Sequence, residues 1–159
     1  MGYAGRVSLP TPLRRLQGIT YWVIENPGAI GEFINTNIRR EWEADVKSVG
    51  RNPRDDPWLQ RLSARVWRLE IVDTSSVKLD LGIMNYASAD TGYSFTESLA
   101  RRTRELRKAI EAYGSVIWPV IITGENSRLV DGYCRLTTLR EKGVTQTYAY
   151  LGGIRTDGG

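Results

Sequence analysis

The chain has 159 residues, 41% hydrophobic and 25% charged, with a net charge of +4, no histidine and one cysteine. This suits one compact domain with an appended helical segment. It excludes an internal disulfide, a Ser-His-Asp or Cys-His nucleophile and an ordinary zinc site, leaving carboxylates, arginines, backbone amides or carboxylate-held magnesium for any chemistry.

The opening MGYAGR lacks the apolar core of a signal peptide, and Arg6 stands where a myristoylation site wants a small hydroxyl residue. The longest apolar run, around 116–122, is interrupted by Pro119, far short of a membrane span. A cytoplasmic protein without a membrane partner is expected. Residues 1–25 offer only a turn at LPTP and an apolar stretch, Ile19–Ile24.

Asn26 and Pro27 are helix-start signals. Ile30, Phe33, Ile34, Ile38, Trp42 and Val46 follow at helical spacing, and Gly50 supplies a stop. Asp56 and Pro57 repeat the device before Leu59, Leu62 and Val66, so a second amphipathic helix is expected. The period then changes. Trp67, Leu69 and Ile71 alternate with Arg68 and Glu70, predicting a strand, with a further short strand over Val77–Leu81.

Residues 85–94, NYASADTGYS, read as a loop able to cover a ligand. Ser94 and Glu97 have capping-box spacing, and a helix is predicted through Tyr113, stopped by Gly114, with Phe95, Leu99, Leu106, Ile110 and Tyr113 as its buried stripe. Arg101, Arg104 and Lys108 lie on its opposite face, with Arg102 and Arg107 at the flanks. Such a face is either solvated surface or a phosphate contact.

VIWPVIIT predicts a strand, GENSR a turn and LVDG a short strand, followed by a helix ending at Gly143 and a last strand in VTQTYAYLGGI. At the junction Asp131-Gly132-Tyr133-Cys134-Arg135 two readings stand side by side. It is an anion site built on the first amides of a helix, or an ordinary turn in which Asp131 caps that helix.

Taken in order, Leu106, Ile110 and Gly114, then Pro119–Ile122, then Gly132 and Arg135 match L-x-x-x-I-x-x-x-G, P-[IV]-[IV]-[IV] and G-x-x-R. This arrangement resembles the ParB/sulfiredoxin superfamily over about residues 67–151. The resemblance implies an α+β fold, a small mixed β-sheet with packed helices, preceded here by a helical N-terminal segment. The expected division is 1–66 helical segment, 67–152 ParB/sulfiredoxin-like domain and 153–159 flexible tail. It further implies nucleotide binding (ATP, ADP or CTP, with Mg2+), phosphate contacts from Gly132, Tyr133, Cys134 and Arg135, and a glutamate base for which Glu97 stands at about the right place.

Asp131 would have to cap the helix or hold a metal, since it would otherwise repel the anion. Asp80 and Asp90 are weaker candidates for base or metal ligand. Asn85, Tyr86 and Tyr93 are the expected substrate- or base-recognition residues. Departures matter: sulfiredoxin's cysteine directly follows the motif glycine, a place held here by Tyr133, and a one-residue shift turns a helical side chain by about 100°. Cys134 is therefore expected to be a small filler. Two functions follow. The first is a nucleotide-dependent phosphoryl-transfer enzyme, a small-molecule kinase or nucleotidase with a small-molecule acceptor. The alternative is a ParB-like DNA-binding or nuclease-type regulatory module without small-molecule turnover. The front half is expected to pack as a lid or to mediate a homodimer.

Overall fold

The computed structural model describes residues 12–48, 50–56, 59–60, 62, 65–79, 95–124 and 127–154. In chain order the elements are β1 (Leu13–Leu16), β2 (Ile19–Trp22), α1 (Pro27–Phe33), a π-helical turn (Ile34–Ile38), α2 (Arg39–Ser48), β3 (Arg65–Asp73), α3 (Phe95–Tyr113), β4 (Val120–Thr123), β5 (Arg128–Asp131), α4 (Tyr133–Glu141) and β6 (Gln146–Ile154). The fold is α+β. Strands β3-β6-β4-β5 form a mixed sheet, with β6 antiparallel to β3 but parallel to β4.

The N-terminal part is not purely helical. β1 and β2 form a hairpin whose two-residue turn, Gln17-Gly18, has positive φ at both positions (50° and 82°). That geometry matches the right-handed twist of paired strands. The Gln17 side chain ties the hairpin to the start of β6: its Oε1 accepts from Thr145 N (2.9 Å) and Gln146 N (3.0 Å), while its Nε2 donates to Thr145 Oγ1 (2.8 Å).

Asn26 caps α1 as expected, accepting from Ala29 N at 3.0 Å, with Pro27 in the first turn. The apolar positions 30, 34, 38, 42 and 46 are spaced by four, which drifts about 40° per step on a 3.6-residue helix. The wider π-helical turn at Ile34–Ile38 takes up that drift, and Ile30, Ile34, Ile38 and Val46 are all buried. Asp56 also caps, accepting from Leu59 N at 2.9 Å, and Leu59 and Leu62 are buried. The second helix nevertheless does not run to 66. β3 begins at Arg65, and Val66 is 53% exposed on it rather than buried on a helix stripe. Pairing with β6 through all nine residues of β3 outweighs the local helical pattern.

The strand expected over Val77–Leu81 is, among the described residues, a single bridge between Lys78 and Arg128. β4 starts after Pro119, and Ile117 instead bridges Tyr21 of the hairpin. β6 continues to Ile154, past the expected start of the tail at 153. Tyr113, placed on the buried stripe of α3, is 86% exposed in the last turn, whereas Thr103 on the inner side is buried.

The sheet has helical cover on both faces. Trp67, Ile121, Val130 and Tyr150 pack against Ile30, Phe33 and Ile34; Val120, Ile122, Leu129 and Ala149 pack against Leu99, Tyr133 and Leu136. A third cluster joins the hairpin (Ile19, Tyr21, Val23) to Ile117, Leu139 and Val144. Segment 19–38 therefore belongs to the same core as the strands.

Candidate functional site

β5 delivers Asp131 to the edge of the core, Gly132 turns the chain at φ 102°, and α4 begins at Tyr133. Only glycine suits this position. A Cβ would adopt left-handed backbone and meet Val120 Cγ1 at 2.9 Å and Arg135 Nη2 at 3.0 Å.

Asp131 does not cap the helix, whose N-terminus carries no side-chain cap. It pairs instead with Arg135 one turn on, Nη2 to Oδ2 2.8 Å. The other arm of the guanidinium, Nη1, donates to the carbonyls of Trp118 and Pro119, each at 3.0 Å. Arg135 is thus directed into the protein and clamps the segment ahead of β4 onto α4. Its partners were not legible locally, because the carbonyls it meets lie 16 and 17 residues upstream. The carboxylate four residues before it is the one signal that pointed to a pair.

Tyr133 is buried and donates its hydroxyl to Leu129 O at 3.2 Å. Cys134 is half-buried, with Thr103 Oγ1 at 4.0 Å from its Sγ. The structure therefore brings Asp131, Gly132, Tyr133, Cys134 and Arg135 together, but turns the Tyr133 and Arg135 side chains toward protein partners. The group left to meet an anion is backbone. The amides of Cys134 and Arg135 precede the first helical bond, Leu136 N to Gly132 O (2.9 Å).

Asn85, Tyr86, Tyr93, Asp80, Asp90 and Ser94 lie outside the described residues, as does the side chain of Glu97, whose backbone is in the first turns of α3. Among the described residues no three His, Cys, Asp or Glu side chains gather as a metal site. No helix among them is long and apolar enough to cross a membrane.

α3 and α4 lie side by side and run the same way, with Thr103 beside Cys134 and Glu111 beside Lys142. Arg107 bonds Glu111 (2.9 Å) and approaches Glu141 (3.7 Å), and Lys142 reaches Glu111 at 3.4 Å. These cations, Arg107 first, hold the Glu111 carboxyl below its usual range. Arg101, Arg102, Arg104 and Lys108 are different. They are exposed, and among the described residues no carboxylate pairs with any of them. Arg101, Arg104 and Lys108 fall at i, i+3 and i+7, on one outward stripe. Next to that stripe is a shallow depression lined by Glu105, Lys108, Ala109, Glu111, Ala112 and Tyr113. It lies along the C-terminal half of α3, and its two carboxylates suit no anion.

No family model matches the chain, and no curated protein matches it. Among solved structures it is similar to the C2221 form of a Pnob8-like ParB-N domain, at 19% identity over 57% of this chain and 30% of that one, with a TM-score of 0.41. A second is a pNOB8-like ParB N-domain, at 17% identity over 57% and 29%, with a TM-score of 0.40. The chain spans less than a third of the length of either.

Proposed function

We propose that this chain is a ParB-like module that contacts nucleic acid through the outward face of α3 and does not turn over a small molecule. The observation that carries this reading is the unpaired stripe of Arg101, Arg104 and Lys108. Three cations at that spacing, without neutralising partners among the described residues, suit a run of backbone phosphates, for which affinity needs charge more than a shaped pocket. Phosphoryl transfer has less support. It would use Arg135 on the transferred phosphate, and that guanidinium is already engaged with Asp131 and two carbonyls.

The test is fluorescence anisotropy of labelled duplex DNA across a salt series. Affinity falls steeply as salt rises, and the Arg101→Ala/Arg104→Ala/Lys108→Ala variant flattens the log-log slope by about 0.9 per lost phosphate contact. An unchanged slope with an unchanged melting temperature overturns the proposal.

A nucleotide on the α4 N-terminus, with Mg2+ held through its phosphates, is the second reading. It is supported by the absence of a side-chain cap beside Gly132. Melting shifts with ADP, ATP, CTP and GTP plus magnesium test it. Release of product with a small hydroxylated acceptor would restore the kinase reading.

A further inference from the structure

β3 is an edge strand. It pairs with β6 on one side, and among the described residues no strand pairs with the other. The phase of its ladder follows from Thr74 N donating to Thr145 O at 2.9 Å, in continuous register with nine pairs from Arg65↔Ile154 to Asp73↔Gln146. In an antiparallel pair the bonded residues alternate. The even-numbered residues therefore bond β6, and Trp67, Leu69 and Ile71 direct their N–H and C=O groups to the side of β3 away from β6.

Exposed edges are normally protected by charge, most simply by a lone lysine that repels any second strand. Here the charges do the opposite. The strand reads RVWRLEIVD. Placed antiparallel to itself about Leu69, Arg65 faces Asp73, Val66 faces Val72, Trp67 faces Ile71 and Arg68 faces Glu70. Every charge meets its opposite, and the exposed Val66 (53%) and Ile71 (47%) gain apolar neighbours. Neighbouring registers fail. Centring on residue 68 sets Arg68 against itself, and centring on residue 70 does the same with Glu70. Centring between residues would set outward-facing backbone against inward-facing backbone.

We infer that two copies of this chain associate through their β3 edges, antiparallel about Leu69, joining two four-stranded sheets into one continuous sheet. The symmetry is the ordinary two-fold of homodimers, in which one patch meets itself. Arg68 and Glu70 then sit in non-hydrogen-bonded cross-strand pairs, where side chains are closest. Within one chain the two already pair at 2.7 Å while 65% and 42% exposed, so both heads are at the surface and free to exchange partners. This inference is independent of the nucleic-acid reading, since β3 and the α3 stripe share no residue.

The experiment is sedimentation velocity over a micromolar-to-millimolar concentration range, with circular dichroism as the check on folding. The unmodified chain forms a concentration-dependent dimer. Arg68→Glu alone gives two acidic pairs across the axis and Glu70→Arg alone gives two basic ones. Each weakens the dimer by about tenfold or more. An equimolar mixture of these two variants restores association, because an acidic strand then faces a basic one, and the double swap Arg68→Glu/Glu70→Arg restores it in one chain. Ile71→Pro removes an outward N–H, leaves the β6 ladder intact and abolishes the dimer. A chain that stays monomeric throughout, or a dimer indifferent to both single swaps, overturns the inference.

Discussion

Arg135 and Asp131 sit one turn apart across Gly132, bonded at 2.8 Å, with side chains 14% and 27% exposed. The same guanidinium also satisfies the carbonyls of Trp118 and Pro119. Arg135→Ala removes three hydrogen bonds and leaves a half-buried carboxylate alone, at a cost of about 2–3 kcal/mol. Arg135→Lys retains a charge for Asp131 but not the planar fork that reaches two carbonyls, and recovers less than half of that. Urea denaturation measures both. Any nucleotide assay on Arg135→Ala should be read against this loss.

The two buried tyrosines make stability depend on alkaline pH. Tyr21 hydrogen-bonds Thr147 Oγ1 at 3.0 Å, and the Tyr150 hydroxyl accepts from Ile24 N at 3.2 Å. Burial is the largest cause in each case and pushes both phenols up from the ordinary value of 10.0. The folded state therefore favours the protonated form. Its contribution is complete below the unfolded pKa of about 10 and is lost as pH rises from there toward the folded values. Melting temperature should hold level to about pH 10 and then fall. In Tyr21→Phe/Tyr150→Phe the fall above that point is shallower, although the starting value is lower because Ile24 N–H loses its acceptor.

Gly152 lies opposite Trp67 in the β3–β6 register. A Cβ there would come 2.7 Å from Trp67 Cζ3 and 2.8 Å from Cη2, and Trp67 is buried against Leu59 and Leu62. Gly152→Ala should cost about 2–3 kcal/mol and shift tryptophan emission as the ring is displaced. At Gly153 nothing lies within 4 Å of the added atom. Gly153→Ala should be neutral or stabilising by a few tenths of a kcal/mol. Equal effects at the two positions would show that strand propensity, and not the indole, governs this end of β6.

What was legible in the sequence was what local chemistry decides. Asn26-Pro27 opened a helix because a side-chain acceptor and a missing N–H suit that place, and the strand–glycine–helix order around Gly132 followed from turn chemistry. The β1–β2 hairpin was not legible. Its first strand leaves Leu13, Arg14 and Arg15 all exposed, so no apolar alternation marks it, and its turn uses Gln17 where Asn or Gly is the usual signal. The helix expected to reach Val66 gave way to a strand because cross-strand pairing with residues near 150 is invisible locally. At the candidate site the residues were found but not their aim. G-x-x-R looks alike whether its arginine faces a phosphate or a carbonyl, and here the fold directs it inward.

Gln17 offers the sharpest test of how the hairpin is held. Its backbone accepts a left-handed φ of 50°, which disfavours any residue with a Cβ, and its side chain makes three hydrogen bonds to Thr145 and Gln146. Gln17→Ala keeps the backbone strain and loses all three, while Gln17→Gly loses them but relieves the strain. Because these bonds are exposed to water, Gln17→Ala should cost only about 1 kcal/mol. Gln17→Gly should cost less than Gln17→Ala. The local signature is clearer than the global one. Hydrogen exchange at the Thr145 and Gln146 amides, which both donate to the Gln17 Oε1, should rise by about tenfold in either variant, while amides within β4 are unchanged. If exchange at Thr145 and Gln146 stays at the native rate, the Gln17 bonds do not hold the hairpin, and its anchors are the Trp22 N–Ile117 O and Ile117 N–Thr20 O bonds (each 3.0 Å), the Tyr21–Thr147 bond and the core beneath them.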